Sequence, residues 1–202
     1  MTYSIRPLEK EDLEQVNEID REAFPTQWPP PNYKQELQNK IAHYIVATDD
    51  SRAVDPEVAG QSFMQRLMPW LKPAAPEEKP RLYIAGFAGI WMLVDEAHIT
   101  NIAVRKEYRG KGIGGLLLIA TFDLAAELSA SFLTLEVRAS NEVAQKLYER
   151  YGFTKAGLRR AYYLDNREDA IIMSTAAISS AEVQERMSAL RESLKIKLTA
   201  NS

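Results

Sequence analysis

The spacing of apolar positions changes from segment to segment along the chain, and each spacing predicts an element. Thr2 to Arg6 alternates as a first strand, which Pro7 stops. From Glu9 to Phe24, Leu13, Val16, Ile19 and Ala23 recur at three, three and four residues, one face of a helix. The run from Pro25 through Trp28 to Pro31 then interrupts regular structure, because proline lacks an N–H and restricts the residue before it. A second helix is predicted to resume near Asn32 and to carry Leu37 and Ile41, and His43–Thr48 (HYIVAT) predicts a strand with His43 at its start. Leu82 to Val94 (LYIAGFAGIWMLV) is almost wholly apolar and rich in β-branched and aromatic residues, which suits a long central strand. It is shorter than the ~20 residues needed to cross a bilayer. Asp95-Glu96-Ala97 turns it back into an antiparallel partner ending Asn-Ile-Ala-Val.

Beyond that partner, Ile113, Leu117, Ala120, Leu124 and Leu128 fall at helical spacing, and Ser129–Ser131 end the helix. Phe132–Val137 (FLTLEV) is another strand, reached by a crossover expected to be right-handed. A short helix follows from Ala139-Ser140-Asn141 through Ala144, Leu147 and Tyr148, closed by Gly152. Two last strands, near Phe153–Leu164 and Ala170–Thr175, make a hairpin across Asp165–Asp169. Ser179–Leu198 is charged and mildly periodic, a C-terminal helix outside the core unit for which simple docking and a dimer contact are both open. The chain thus divides into a domain over 1–175 and a helical extension over 176–202. Within the domain, the proline-rich stretch 49–80 reads as an insertion, with a short amphipathic helix through Phe63, Leu67, Met68 and Leu71. Its apolar face is expected to pack on the domain or another subunit, since its polar face is not basic enough for a membrane surface.

Composition narrows the chemistry. The 202 residues include no Cys, which excludes disulfides, thiolate metal sites and an acyl-cysteine intermediate. Only His43 and His98 supply imidazoles, so a histidine metal cluster or a Ser-His-Asp triad has little to work with and no metal is expected. A net charge of −3 argues against a general nucleic-acid binder, leaving the basic cluster at 105–111 as a local anion site. The N-terminal stretch lacks an apolar signal core and no 18-residue apolar run occurs, so a cytoplasmic protein without a membrane partner is expected.

That anion site sits in ITNIAVRKEYRGKGIGGLLL, where a strand meets a helix through Arg109, Gly110, Lys111, Gly112, Ile113 and Gly114, an R-x-x-G-x-G turn. Amides of a helix's first turn have no intrahelical partner and sit at the positive end of its dipole, which suits a pyrophosphate. The glycines let the backbone approach closely, and Arg105, Lys106, Arg109 and Lys111 add positive potential. Neither a P-loop nor a Rossmann fingerprint is present.

Taken in order, the turn after Asn-Ile-Ala-Val, then LEVRASN, KLYERYGF, RRAYY and REDAIIM, resemble the GNAT superfamily of acetyl-CoA-dependent N-acetyltransferases. More narrowly, they resemble the bacterial enzymes that acetylate the N-terminal alanine of a ribosomal protein. The resemblance spans roughly residues 3 to 175. It implies an α/β (α+β) fold: a mixed, mostly antiparallel sheet of about seven strands with a splayed parallel pair, flanked by helices. It implies coenzyme A pyrophosphate on the amides of Arg109–Gly114, the pantetheine arm along Ile102, Ala103 and Val104, and a cofactor contact at Asn141. It further implies Glu136 as general base, Tyr148 as general acid, and Tyr162 and Tyr163 holding the first residues of the acceptor. The expected partner is a protein N-terminus, with direct transfer in a ternary complex. A lysine side chain or small amine as acceptor, and a non-catalytic acyl-CoA sensor, are the alternatives. Leu164 where relatives often carry proline, the 49–80 insertion and the 176–202 tail depart from the compact enzymes.

Overall fold

The computed structural model describes residues 3–26, 30–54 and 81–200. Its elements in chain order are β1 (Tyr3–Pro7), α1 (Leu13–Ala23), α2 (Tyr33–Glu36), β2 (Ala42–Val54), β3 (Arg81–Leu93), β4 (Glu96–Val104), α3 (Ile113–Glu127), β5 (Phe132–Arg138), α4 (Glu142–Arg150), β6 (Thr154–Arg159), β7 (Ala170–Ser174) and α5 (Ala181–Ala200). The seven strands form one sheet in the order β1-β2-β3-β4-β5-β7-β6. Every neighbouring pair is antiparallel except β4 and β5, which α3 joins as a parallel crossover.

The β4–β5 pairing is short. It runs from Glu96 opposite Phe132 to Ile99 opposite Leu135 and stops, although β4 continues to Val104 and β5 to Arg138. The register of β4 against β3 slips at the same point: Ile99 faces Ile90 and Asn101 faces Gly89, leaving Thr100 as an extra residue. A bulge of this kind bends and twists its strand. Past it, β3 holds β4 on one side and β7 holds β5 on the other, through Glu136 opposite Ile172 and Arg138 opposite Ala170. The strands part and leave a wedge-shaped gap between them.

Alternation sorts the side chains onto two faces. On one, Val16 and Ile19 of α1 and Tyr33 of α2 pack on Tyr44, Val46, Ile84 and Phe87. On the other, Ile113 and Leu117 of α3 cover Ile45, Ala47, Ala85 and Ala88, while Leu118 and Phe122 lie over Leu133, Leu135 and Val137. The C-terminal helix belongs to this second face: Val183, Met187 and Leu194 are buried in the same cluster as Leu118 and Phe122, and Arg191 pairs with Asp123 of α3. Burying such side chains stabilises by about 1.5–3 kcal/mol each.

Four sequence expectations are corrected. Helix α2 is a single turn, capped by the Asn32 carboxamide accepting from the Gln35 N–H at 3.2 Å, so Leu37 and Ile41 lie beyond it. Ile41 instead offers its carbonyl to the Met92 N–H at 2.8 Å, as an extension of the sheet. Asp49–Val54 continues strand β2 rather than opening an insertion, with Asp49 opposite Tyr83 and Val54 opposite Arg81. Asp49 looks like a turn former but is a buried acceptor, taking the Tyr108 hydroxyl at 2.8 Å and the Ser51 N–H at 3.0 Å. Strand β6 ends at Arg159 rather than Leu164, because Ala161 turns into the left-handed region at φ 50°. Finally, Pro7 is the last residue of β1 rather than a stop before it; on an edge strand its missing N–H is tolerated. The helix expected over Val58–Leu71, like most of the expected insertion, lies outside the described residues.

Candidate active site

The gap between β4 and β5 is bounded by backbone on one side and side chains on the other. From Thr100 onward, β4 has no β5 partner, so the edge carrying Ile102, Ala103 and Val104 lacks a strand neighbour on that side while β3 holds the other. Just beyond the last paired residue, Leu135, stands Glu136. Its side chain is only 9% exposed, and both carboxylate oxygens are engaged: Oε2 lies 3.0 Å from His98 Nε2 and Oε1 lies 3.0 Å from Arg159 Nε. The bond from His98, with the positive charge of Arg159 behind it, holds the Glu136 carboxyl below the usual carboxylate range despite its burial.

The imidazole connects this pair to the surface. His98 is the parallel partner of Thr134, and its Nδ1 lies 2.8 Å from the Thr134 hydroxyl, which in turn donates to Glu96. Imidazole, hydroxyl and the Glu96 carboxylate thus form one hydrogen-bonded chain leading away from Glu136. Neither His98 nor Arg159 stands out in the sequence as a site residue. The signal for His98 was available only with the register, since its place opposite Thr134 brings it onto the Glu136 face; Arg159 was visible inside RRAYY but carried no assigned role.

Tyr148 lies on α4, packed against Phe153 with ring planes tilted by 59° and centroids 5.7 Å apart. Burial raises its hydroxyl above the ordinary tyrosine range, and no hydrogen-bond partner for that hydroxyl occurs among the described residues. Asn141 caps α4 by accepting the Ala144 N–H at 3.1 Å, which leaves its amide NH2 for any ligand. Tyr162 and Tyr163 are not in a strand but in the loop after β6, their rings perpendicular at 5.2 Å. Tyr162 is 43% exposed, and the Arg159 guanidinium lies 5.6 Å from its ring, so the residue paired with Glu136 also reaches this loop.

The turn from Arg109 to Gly114 has the conformation its glycines suggested. Gly110 and Gly112 have φ of 77° and 103°, and Gly112 is the N-cap of α3. A Cβ at Gly110 would meet nothing within 4 Å, so the turn is open on that side; one at Gly112 would lie 3.0 Å from Leu194 of α5. The basic cluster is less free than expected. Arg105 is buried against Glu18 at 2.9 Å and the Ile84 carbonyl, and Arg109 bonds the Val104 carbonyl at 3.1 Å. Lys106 and Lys111 have no ion pair among the described residues.

A parallel strand pair that opens beside a bulge, a glycine turn leading into a helix on one wall and a buried carboxylate on the other define an acyl-transfer scaffold. The profile of the Acetyltransferase (GNAT) family matches residues 13–153, and the chain belongs to that family of N-acetyltransferases. It is 35% identical over 171 residues to a Bacillus subtilis (strain 168) protein provisionally named a ribosomal protein bS18-alanine N-acetyltransferase, spanning 84% of this chain and 93% of that one. It is 32% identical over 176 residues to an N-alpha-acetyltransferase of Sulfurisphaera tokodaii, spanning 85% and 92% of the two chains. The crystal structure of the Escherichia coli ribosomal-protein-S18-alanine N-acetyltransferase superposes with a TM-score of 0.64 at 31% identity, covering 89% of this chain and 96% of that one. Among the described residues, no helix is long and apolar enough to cross a membrane.

Proposed function

We propose that this protein transfers the acetyl group of acetyl-CoA to the N-terminal amine of a protein, with alanine as first residue and a ribosomal protein as acceptor. The observation that carries this reading is the position of Glu136, buried beside the free edge of β4 at the first residue past the strand pairing. The relatives' names supply the acceptor class.

In this reading the amides of Arg109–Gly114 hold the pyrophosphate, with Asn141 as a further contact, and the pantetheine arm takes the place of a strand beside Ile102–Val104. A protein N-terminal amine has a reference pKa of ~7.7–8.0. The Glu136 carboxylate takes its proton, directly or through one water, on a lone pair not used by His98 or Arg159. The amine nitrogen bonds to the thioester carbonyl carbon, a backbone N–H of the free β4 edge stabilises the oxyanion, and the C–S bond breaks as the nitrogen gives up its second proton to water, leaving the amide. Tyr148, kept protonated by its burial, gives its proton to the departing thiolate. Tyr162 and Tyr163 hold the first residues of the acceptor. The chain has no Cys to carry the acetyl group, so transfer is direct. A cytoplasmic protein fits this acceptor.

The test is release of free coenzyme A thiol from acetyl-CoA with peptides beginning Ala-Arg, Ser or Met, or offering only an internal lysine. Turnover is expected with the Ala-initiated peptide and not with the lysine peptide. Saturable acetyl-CoA binding without turnover on any peptide would remove the protein N-terminus as acceptor and leave a small amine, or a sensor.

A further inference from the structure

The loop that presents Tyr162 and Tyr163 has little secondary structure of its own. Between the end of β6 and the start of β7 it turns through positive φ at both Ala161 and Arg167, two non-glycine positions where backbone strain must be balanced by contacts elsewhere. Most of those contacts converge on Arg138, the last residue of β5 and two residues on from Glu136, hence on the same face of the sheet. Its Nη2 donates to both oxygens of Asp165, at 3.1 and 3.0 Å; its Nη1 donates to Glu168 and to Asn166, both at 3.2 Å. The guanidinium carbon lies 3.9 Å over the centre of the Tyr163 ring. Glu168 closes the clamp from the other side, accepting the Ser140 N–H at 2.7 Å, and the Tyr163 N–H bonds the Glu168 carbonyl at 3.1 Å. The same Arg138 nitrogen that grips Asp165 also reaches the Thr26 hydroxyl at 3.4 Å, in the connection between α1 and α2.

We infer that Arg138 is a positioning residue for the acceptor: gripped by Asp165 and Glu168 and stacked on Tyr163, it fixes loop 160–169 to the end of β5 and to Thr26, and so presents the two tyrosines beside Glu136. This rests on the reading of the loop as the acceptor's binding surface. A planar guanidinium is suited to the task, since the two arms of its fork, Nη2 and Nη1, reach two different carboxylates while its flat face lies on an aromatic ring. Lysine keeps the charge and loses the fork and the plane. Arg138 contacts neither the cradle turn nor Tyr148, so its loss should weaken acceptor binding and spare both cofactor binding and the chemical step.

The experiment uses the full chain, with Arg138→Met, Arg138→Lys and the double variant Asp165→Asn/Glu168→Gln, which alters only the loop's own carboxylates. Amide hydrogen exchange is read at Ala161 and Tyr163, whose N–H groups bond Asp169 and the Glu168 carbonyl. Steady-state constants are measured with the best N-terminal peptide and with acetyl-CoA. In Arg138→Met and in the double variant, exchange at both amides and the peptide KM are expected to rise about tenfold or more. The acetyl-CoA KM and kcat should stay within about threefold, and Arg138→Lys should fall between. Unchanged exchange would overturn the clamp; raised exchange with an unchanged peptide KM, or a loss in kcat as large as that in KM, would overturn its role in acceptor positioning. Wild-type protein that turns over no N-terminal peptide would instead refute the acceptor reading itself, and the inference with it.

Discussion

The two walls of the gap are built from different materials. The wall proposed for the cofactor is backbone: the edge of β4 without a strand partner and a turn in which Gly110 and Gly112 take φ of 77° and 103°. The wall proposed for the acceptor is side chains: Glu136 held by His98 and Arg159, and a loop held by Arg138. A backbone wall suits a ligand that does not vary between reactions, because amides and a helix dipole bind any pyrophosphate. A side-chain wall suits the partner that differs between enzymes, because its shape and charge change with single substitutions. The two walls should therefore fail differently under mutation.

The largest expected effects separate chemistry from binding. Tyr148→Phe and Glu136→Gln are each expected to lower kcat about 10²–10⁴-fold, the range for loss of a general acid or base, while acetyl-CoA affinity measured by calorimetry stays within about threefold. A drop in acetyl-CoA affinity matching the loss in kcat would show that the side-chain wall also serves the cofactor.

Next is stability on the cofactor side. Leu194 is buried in the main core cluster and also lies against Gly112, so α5 braces the cradle turn from behind. Leu194→Ala is expected to destabilise by about 2–5 kcal/mol, read as a lower urea midpoint at an unchanged slope. Gly112→Ala should lose less, about 1–3 kcal/mol for a strained positive φ. It should also raise the acetyl-CoA KM without altering the peptide KM, because it displaces amides of the turn. An equal rise in both constants would erase the distinction between the walls.

The same contrast explains what could be read from the chain alone. The turn at Arg109–Gly114 was legible because its signature is local: glycines, basic residues and the switch from strand to helix lie within a few positions. The strands, the crossover and the long helices were legible from periodicity. His98, Arg159 and Arg138 were not, because each acts through partners that only register or loop folding brings near, and a lone charged residue in a strand looks like a solvated one. Asp49 misled for a related reason: its turn-forming chemistry is real, but Tyr108, distant in sequence, converts it into a buried acceptor. The C-terminal helix looked peripheral because its periodicity is mild, yet Val183, Met187 and Leu194 suffice to fasten it to α3.

The smallest effect expected is also the sharpest test of which wall governs the pH dependence. His98 and Arg159 hold Glu136 below the ordinary carboxylate range, so its contribution to stability is present above the unfolded value of ~4.3 and is lost as pH falls through its lower folded value. Glu136 is therefore ionised throughout the neutral range, and Tyr148, raised by burial, stays protonated up to at least the ordinary tyrosine value of ~10. Neither group then titrates between about pH 5 and 9.5, and the acid limb of kcat/KM belongs to the acceptor amine at ~7.7–8.0. The limb should move when the peptide's first residue changes the amine's pKa. It should stay in place in His98→Gln, where Glu136 returns only toward its ordinary value, still far below neutrality. A limb that shifts in His98→Gln with the peptide held constant would identify the imidazole as the titrating group. The proton would then leave the amine through the Glu136–His98 pair and the chain of hydrogen bonds from Thr134 to Glu96, making a side-chain device of a step otherwise set by the acceptor.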